Sequence, residues 1–281
     1  HSLLAVRLLA RVEREFGRAL PITTLFQNPT LEHFAKALRG ARTDEPHAAT
    51  ALVPIQSRGN RPPLFLVHGA GGGMFWGYTN LARHLGDDQP VYAFRSRALD
   101  GLPELRSIEA LADAYLASLR AFQPHGPYCL GGYCFGGNVA YEMARKLRAV
   151  GEEVAVLALM NALPPDSKYK RVKFSWRWFR RFAANVMYLL RWHCGRSHQQ
   201  RRDFIKWQWH ASVARLRRRF SRKNHQRISA ADFVDLSACT PEERPAWDAH
   251  VEALFQHRTD NYDGPVWLFR SCGHQFWCSF D

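Results

Sequence analysis

Several common signals are missing from this chain. Its six cysteines, at 129, 134, 194, 239, 272 and 278, include no C-x-x-C pair. That pattern suggests neither a zinc site nor a disulfide framework, and a reducing, cytoplasmic setting is expected. No run of about 18 apolar residues occurs, so no membrane span is expected. The first residues lack the basic stretch, apolar core and small-residue cleavage site of a secretory signal. Acidic residues almost vanish from one long region: Lys168 to Arg227 holds 19 Lys and Arg against a single acid, Asp203. That segment accounts for the basic balance of a chain whose net charge is +14. What is present is ample: 281 residues, 46% of them hydrophobic, suffice for one large domain or a large and a small one.

Residues 1–40 read as a small helical unit. Leu3, Leu4, Val6, Leu8, Leu9, Val12 and Phe16 recur at helical spacing, and Gly17 and Pro21 break the pattern. After Asn28-Pro29, Thr30 can cap a last helix through Leu38. Helices this short cannot close a core, and position 1 lies directly against a helix start, so this unit is expected to be cut at its front. Residues 41–52 read as a linker. From Val53 onward, apolar strands at 64–67, 91–94, 128–130, 154–160 and 266–269 alternate with helical stretches at 108–122 and 135–150. Alternation of that kind argues for a mainly parallel α/β sheet with right-handed crossovers. The stretch 167–250 lacks strand patterns and reads as a basic helical insertion between two sheet strands.

Gly132-Tyr133-Cys134-Phe135-Gly136 decides the chemistry. It follows an apolar strand and opens a helix, the setting of a nucleophile elbow, where flanking glycines relieve crowding and the central side chain stands exposed above the sheet. Here the central residue is cysteine. A helix N-terminus beneath a thiol favours the thiolate, so a lowered thiol pKa is expected.

His68-Gly69-Ala70-Gly71-Gly72, the elbow, and Tyr262-Asp263-Gly264-Pro265-Val266 with Leu268-Phe269-Arg270 together resemble the terminal thioesterase domains of nonribosomal peptide and polyketide synthases. The resemblance spans about residues 53–281. It implies an α/β-hydrolase fold with a helical lid at about 167–250. His1-Ser2-Leu3-Leu4, with Leu25-Phe26 and Pro29-Thr30, resembles the second half of a carrier domain, in which the matching serine bears 4'-phosphopantetheine. A partial all-α carrier (1–40) would thus precede a thioesterase (53–281), the usual order at the end of such synthases. Ser2 can also be read as an ordinary helix cap.

The resemblance implies that an acyl or peptidyl chain moves from carrier thioester to Cys134 and is then released by water or an internal nucleophile. The oxyanion hole would use the N–H groups of Phe135 and Ala70. Asn161 stands where the family usually has an Asp that orients the base, and Asp281 is its rival. A Cys-His-Asn set is chemically workable. The base should follow the last strand, where His274 is the only nearby candidate. The 270–281 stretch reads more as the loop before a last helix and strand, so the base is expected beyond Asp281. His68 is expected to shape the oxyanion loop, and His250 and His257 to lie on the helix leaving the lid.

Implied partners are the carrier-bound thioester, upstream synthase modules and a phosphopantetheinyl transferase. A basic face interleaved with Trp176, Trp178, Phe179, Phe182 and Trp192 fits an amphipathic lid, and also a nucleic-acid or membrane surface. The lid is the favoured reading, so no nucleic-acid partner is expected. A stand-alone or editing acyl hydrolase, and a degenerate carrier-docking module, remain the alternative functions.

Overall fold

The computed structural model describes residues 30–39, 51–72, 75–100, 103–162 and 243–270, with isolated positions between 8 and 17 and between 176 and 239. Ser2, His274 and Asp281 lie outside the described residues.

In the N-terminal unit, described positions from Leu8 to Phe16 are helical. Helix α1 (Leu31–Arg39) follows, with the Thr30 carbonyl accepting the Phe34 N–H at 3.1 Å, where the sequence places the cap.

The second unit is a six-stranded sheet. Its elements run β1 (Leu52–Gln56), β2 (Leu64–Val67), α2 (Phe75–Leu85), β3 (Val91–Phe94), α3 (Ile108–Phe122), β4 (Tyr128–Tyr133), α4 (Phe135–Ala149), β5 (Val154–Met160), α5 (Arg244–Gln256) and β6 (Trp267–Phe269). The spatial order is β1-β3-β2-β4-β5-β6. Strands β2 to β6 pair in parallel, while β1 runs antiparallel to β3. The five expected strands appear. Strand β1 and helix α2 were not foreseen, because Pro54 in a short edge strand and the polar residues of 75–85 blur both periodicities. Helix α5 begins at Arg244, inside the region assigned to the insertion.

Alternate residues of each strand serve opposite faces. On one face Phe65, Val67, Phe94 and Leu130 pack against α3 and α4 through Ile108, Leu111, Tyr115, Leu119, Val139, Met143 and Leu147. On the other, Leu66, Val91 and Ala93 meet Tyr78 and Ala82 of α2. Each such side chain contributes about 1.5–3 kcal/mol when fully withdrawn from water. Helix α3 starts at Ser107, whose hydroxyl accepts the Ala110 N–H at 3.2 Å. The loops that follow β2, β3, β4 and β5 therefore gather at one end of the sheet, beyond the carboxyl ends of parallel strands, where open α/β sheets hold their sites.

Candidate active site

The turn from β4 into α4 places Cys134. Its backbone has φ 53° and ψ −116°, a region costing about 1–3 kcal/mol for a residue with a side chain. The strain is held by close packing on every side. A Cβ on Gly132 would lie 2.3 Å from the Gly136 carbonyl, and one on Gly136 would lie 2.3 Å from the carbonyl oxygens of Val67 and His68. The Cys134 N–H is bound by the Met160 carbonyl at 2.8 Å, and its own carbonyl accepts from Gly137 N–H and Asn138 Nδ2. The side chain itself is exposed.

Its acidity departs from the expectation. The protein mass packed around the elbow desolvates the thiol and raises its pKa above the usual thiol value. The Phe135 N–H pulls the other way and does not prevail. Cys134 is therefore a neutral thiol near pH 7 and needs a partner to remove its proton.

One residue away across the sheet, Asn161 caps β5. Met160 is opposite Tyr133 in the β4–β5 register, so Asn161 and Cys134 leave neighbouring strands side by side. Asn161 also has a positive φ, 52°, and its N–H is fixed by the Phe269 carbonyl of β6 at 2.8 Å. Ala162 then packs on Gly137, where a Cβ would approach it to 2.3 Å.

The third piece is the loop after β2. His68 is fully buried, and its ring makes two contacts of 2.7 Å, Nδ1 with the Gly69 carbonyl and Nε2 with the Tyr115 hydroxyl. A carbonyl only accepts, so Nδ1 carries the proton and Nε2 accepts from Tyr115. Burial, then the nearby His250, lower the His68 pKa to about 4, which keeps the ring neutral. The Gly69 carbonyl also accepts the Gly72 N–H at 3.2 Å. Among the described residues, Ala70 N–H has no partner.

Around this loop stand His250, which the sequence placed on the helix leaving the lid, and three residues to which it drew no attention. Trp247 and His250 reach it from α5, and Glu104 and Ser96 from the segment after β3. His68 has both ring nitrogens engaged, whereas His250 and His257 each make one hydrogen bond through Nδ1 and leave a buried Nε2 without one. His250 Nδ1 takes the Gly71 N–H at 3.0 Å and its Nε2 lies 3.2 Å from Glu104 Oε2, a bent contact. His257 Nδ1 lies 2.5 Å from Glu109 Oε1. The one signal in the sequence was the i, i+3 spacing of Trp247 and His250, which puts both on one helix face.

Of the sequence-derived site residues, Cys134, Phe135, Ala70 and Asn161 thus converge at one end of the sheet. In the insertion, Trp176, Phe179, Met187 and Trp209 are exposed. Among the described residues, Cys129, Cys134 and Cys194 are free thiols, and no helix is long and apolar enough to cross a membrane.

The thioesterase domain model matches residues 62–177, and the phosphopantetheine attachment site model matches residues 1–38. Residues 62–177 thus match a thioesterase domain, behind a phosphopantetheine attachment site matched at residues 1–38, and the largely parallel sheet with its strand-to-helix elbow is the α/β architecture that the resemblance implies. It is similar to Malpibaldin synthetase of Mortierella alpina, 42% identical over 163 residues, which are 58% of this chain and 3% of that protein. A dimodular nonribosomal peptide synthase of Bacillus subtilis (strain 168) is 39% identical over 165 residues, 58% of this chain and 7% of that protein. The crystal structure of a four-domain nonribosomal peptide synthetase, bound to AMP and glycine, covers 95% of this chain and 20% of its own at 26% identity and a TM-score of 0.49. The chain thus spans a small fraction of the length of the relatives it matches.

Proposed function

We propose that the second unit is a chain-releasing thioesterase that takes acyl or peptidyl groups from a carrier thioester onto Cys134. The observation that carries this reading is the backbone of Cys134: a strained, exposed thiol at a strand-to-helix turn whose glycines cannot bear a Cβ. Strain held by surrounding packing at one exposed side chain points to use of that side chain.

In this reading the Cys134 thiol loses its proton to a base as its sulfur adds to the thioester carbonyl. The tetrahedral oxyanion is met by the N–H groups of Phe135 and Ala70, and the carrier thiol departs as that carbonyl re-forms. Water, or an internal hydroxyl or amine of the chain, then attacks the new thioester and frees the Cys134 sulfur. His68, His250 and His257 do not suit the part of base, since each is buried and has at least its Nδ1 engaged. His274 remains the candidate that the sequence offers for it. Asn161, which leaves the sheet beside Cys134, is the proposed orienter, with Asp281 its rival.

Ser2 is the proposed attachment point in the N-terminal unit, loaded by a phosphopantetheinyl transferase. When attached, that group presents the acyl chain as a thioester. Upstream synthase modules would supply the chain, in a reducing cytoplasm that keeps Cys134 a thiol. The test is thiol release from an acyl-pantetheine thioester. At least one equivalent of thiol per chain is expected, with none from Cys134→Ala and a reduced amount from Cys134→Ser. Unchanged release from Cys134→Ala would move the chemistry elsewhere. No release by the wild-type chain under conditions where Cys134 reacts with alkylating agents would favour a docking role.

A further inference from the structure

Ala70 sits between two peptide groups, and each is held by a different buried histidine. The Gly69–Ala70 peptide is held through its carbonyl, which accepts from His68 Nδ1 at 2.7 Å. The Ala70–Gly71 peptide is held through its N–H, which donates to His250 Nδ1 at 3.0 Å. A backbone N–H can only donate, so His250 Nδ1 carries a lone pair and the ring proton sits on Nε2. Nε2 lies 3.2 Å from Glu104 Oε2, an ion-pair distance at an angle too bent for a hydrogen bond. The other oxygen of Glu104 accepts from the Ala98 N–H at 2.8 Å and from the Ser96 hydroxyl.

These groups are withdrawn from water. His250 is 0% exposed, Ser96 1%, and the Glu104 side chain 2%. Burying such a set costs several kcal/mol unless each member is paired, and apolar side chains would fill the same space at lower cost. What the set does that apolar groups cannot is hold the Gly71 N–H. Trp247, one turn before His250, closes the other side: a Cβ on Gly71 would lie 2.2 Å from its indole. Phe135, the neighbour of Cys134, stacks on the His250 ring at 4.6 Å.

We infer that His250 is a positioning residue: with its proton on Nε2 beside Glu104, its Nδ1 fixes the Ala70–Gly71 peptide, and together with His68, which holds the Gly69–Ala70 peptide that carries the Ala70 N–H, it keeps that N–H aimed at the oxyanion. The inference rests on the role proposed for Cys134 and Ala70, and adds that the helix after the insertion sets the oxyanion hole.

Asn and Gln at position 250 separate the two ends of the imidazole. Asn can offer an acceptor where Nδ1 stands, whereas Gln reaches the Nε2 position and leaves Gly71 unheld. The probe is an acyl thioester of N-acetylcysteamine, read as acyl mass on the Cys134 peptide, alongside alkylation of the same cysteine by iodoacetamide, which builds no oxyanion. Removing an oxyanion donor costs about 10²–10³-fold, so misaiming one in His250→Gln should slow acylation by about 10–100-fold. Alkylation should stay within about twofold, and His250→Asn should acylate at close to the wild-type rate. Equal acylation by wild type and His250→Gln overturns the inference, as does an equal loss in Asn and Gln. Should the variants fail to fold, amide hydrogen exchange of the wild-type chain decides: Gly71 should be protected and Ala70 not, and an unprotected Gly71 overturns it. Alkylation without any wild-type acylation sinks the nucleophile reading itself, a distinct outcome.

Discussion

Replacing Gly136 by Ala tests how the elbow is seated on the sheet. The new methyl would stand 2.3 Å from the carbonyl oxygens of both Val67 and His68, whereas ordinary contact begins near 3.4 Å. Helix α4 or strand β2 must therefore give by about 1 Å, because both obstacles are backbone. Ala gains about 1 kcal/mol over Gly in helix propensity, and overpacking costs about 1–3 kcal/mol, toward the upper end with two backbone contacts. The net expectation is a loss of about 2 kcal/mol, or roughly 4–8 °C in Tm at this domain size. The activity effect should be larger than the stability effect. The same 1 Å separates Cys134 and Phe135 on α4 from Ala70 on the β2 loop, and misplacement on that scale costs about 10²-fold in rate. Gly151→Ala is the control: its φ is +81° and nothing lies within 4 Å of the added methyl. It should cost about 1 kcal/mol through backbone strain and leave acylation unchanged. Thermal melting and single-turnover acylation read both variants. Wild-type stability and rate in Gly136→Ala would refute the packing of α4 against β2.

Other expectations follow from the same contacts. His68 has its pKa lowered from 6.5 to about 4, so between those pH values the unfolded chain binds a proton that the folded chain does not. Stability should fall as pH drops through that window, by up to about 3 kcal/mol, and His68→Gln should flatten the profile of melting temperature against pH; a flat wild-type profile would refute the neutral assignment. Burial alone would raise the Glu104 pKa, but the close approach of His250 and the hydrogen bonds from Ser96 and the Ala98 N–H bring it from 4.5 down to about 2. Its contribution is present above pH 4.5 and should disappear toward pH 2, a second loss absent from Glu104→Gln. In the N-terminal unit, a phosphopantetheinyl transferase with coenzyme A should add one phosphopantetheine mass, and Ser2→Ala should abolish it. Addition that survives the substitution would place the attachment elsewhere.

The elbow was legible because steric necessity writes itself into sequence: only glycine fits at 132, 136 and 137, and the spacing names the residue between. The strands at 64–67, 91–94 and 154–160 were legible as short apolar runs, and the helical stretch at 108–122 coincides with α3. The acidity of Cys134 was not legible. A helix N-terminus can be read from the turn, but desolvation depends on how much protein surrounds the sulfur, which only the fold sets. The Glu104–His250 pair was equally hidden. Its members are 146 positions apart, and Glu104 lies in a polar segment with no periodicity to suggest a buried carboxylate.

The most direct measurement of the central claim is the site of acylation. The chain should be incubated with an acyl-pantetheine thioester, digested and mapped by mass spectrometry. The account predicts one acyl group, on the peptide containing Cys134, labile to hydroxylamine as a thioester and absent in Cys134→Ala. An acyl group on another residue, or one that persists at the same level in Cys134→Ala, would contradict it.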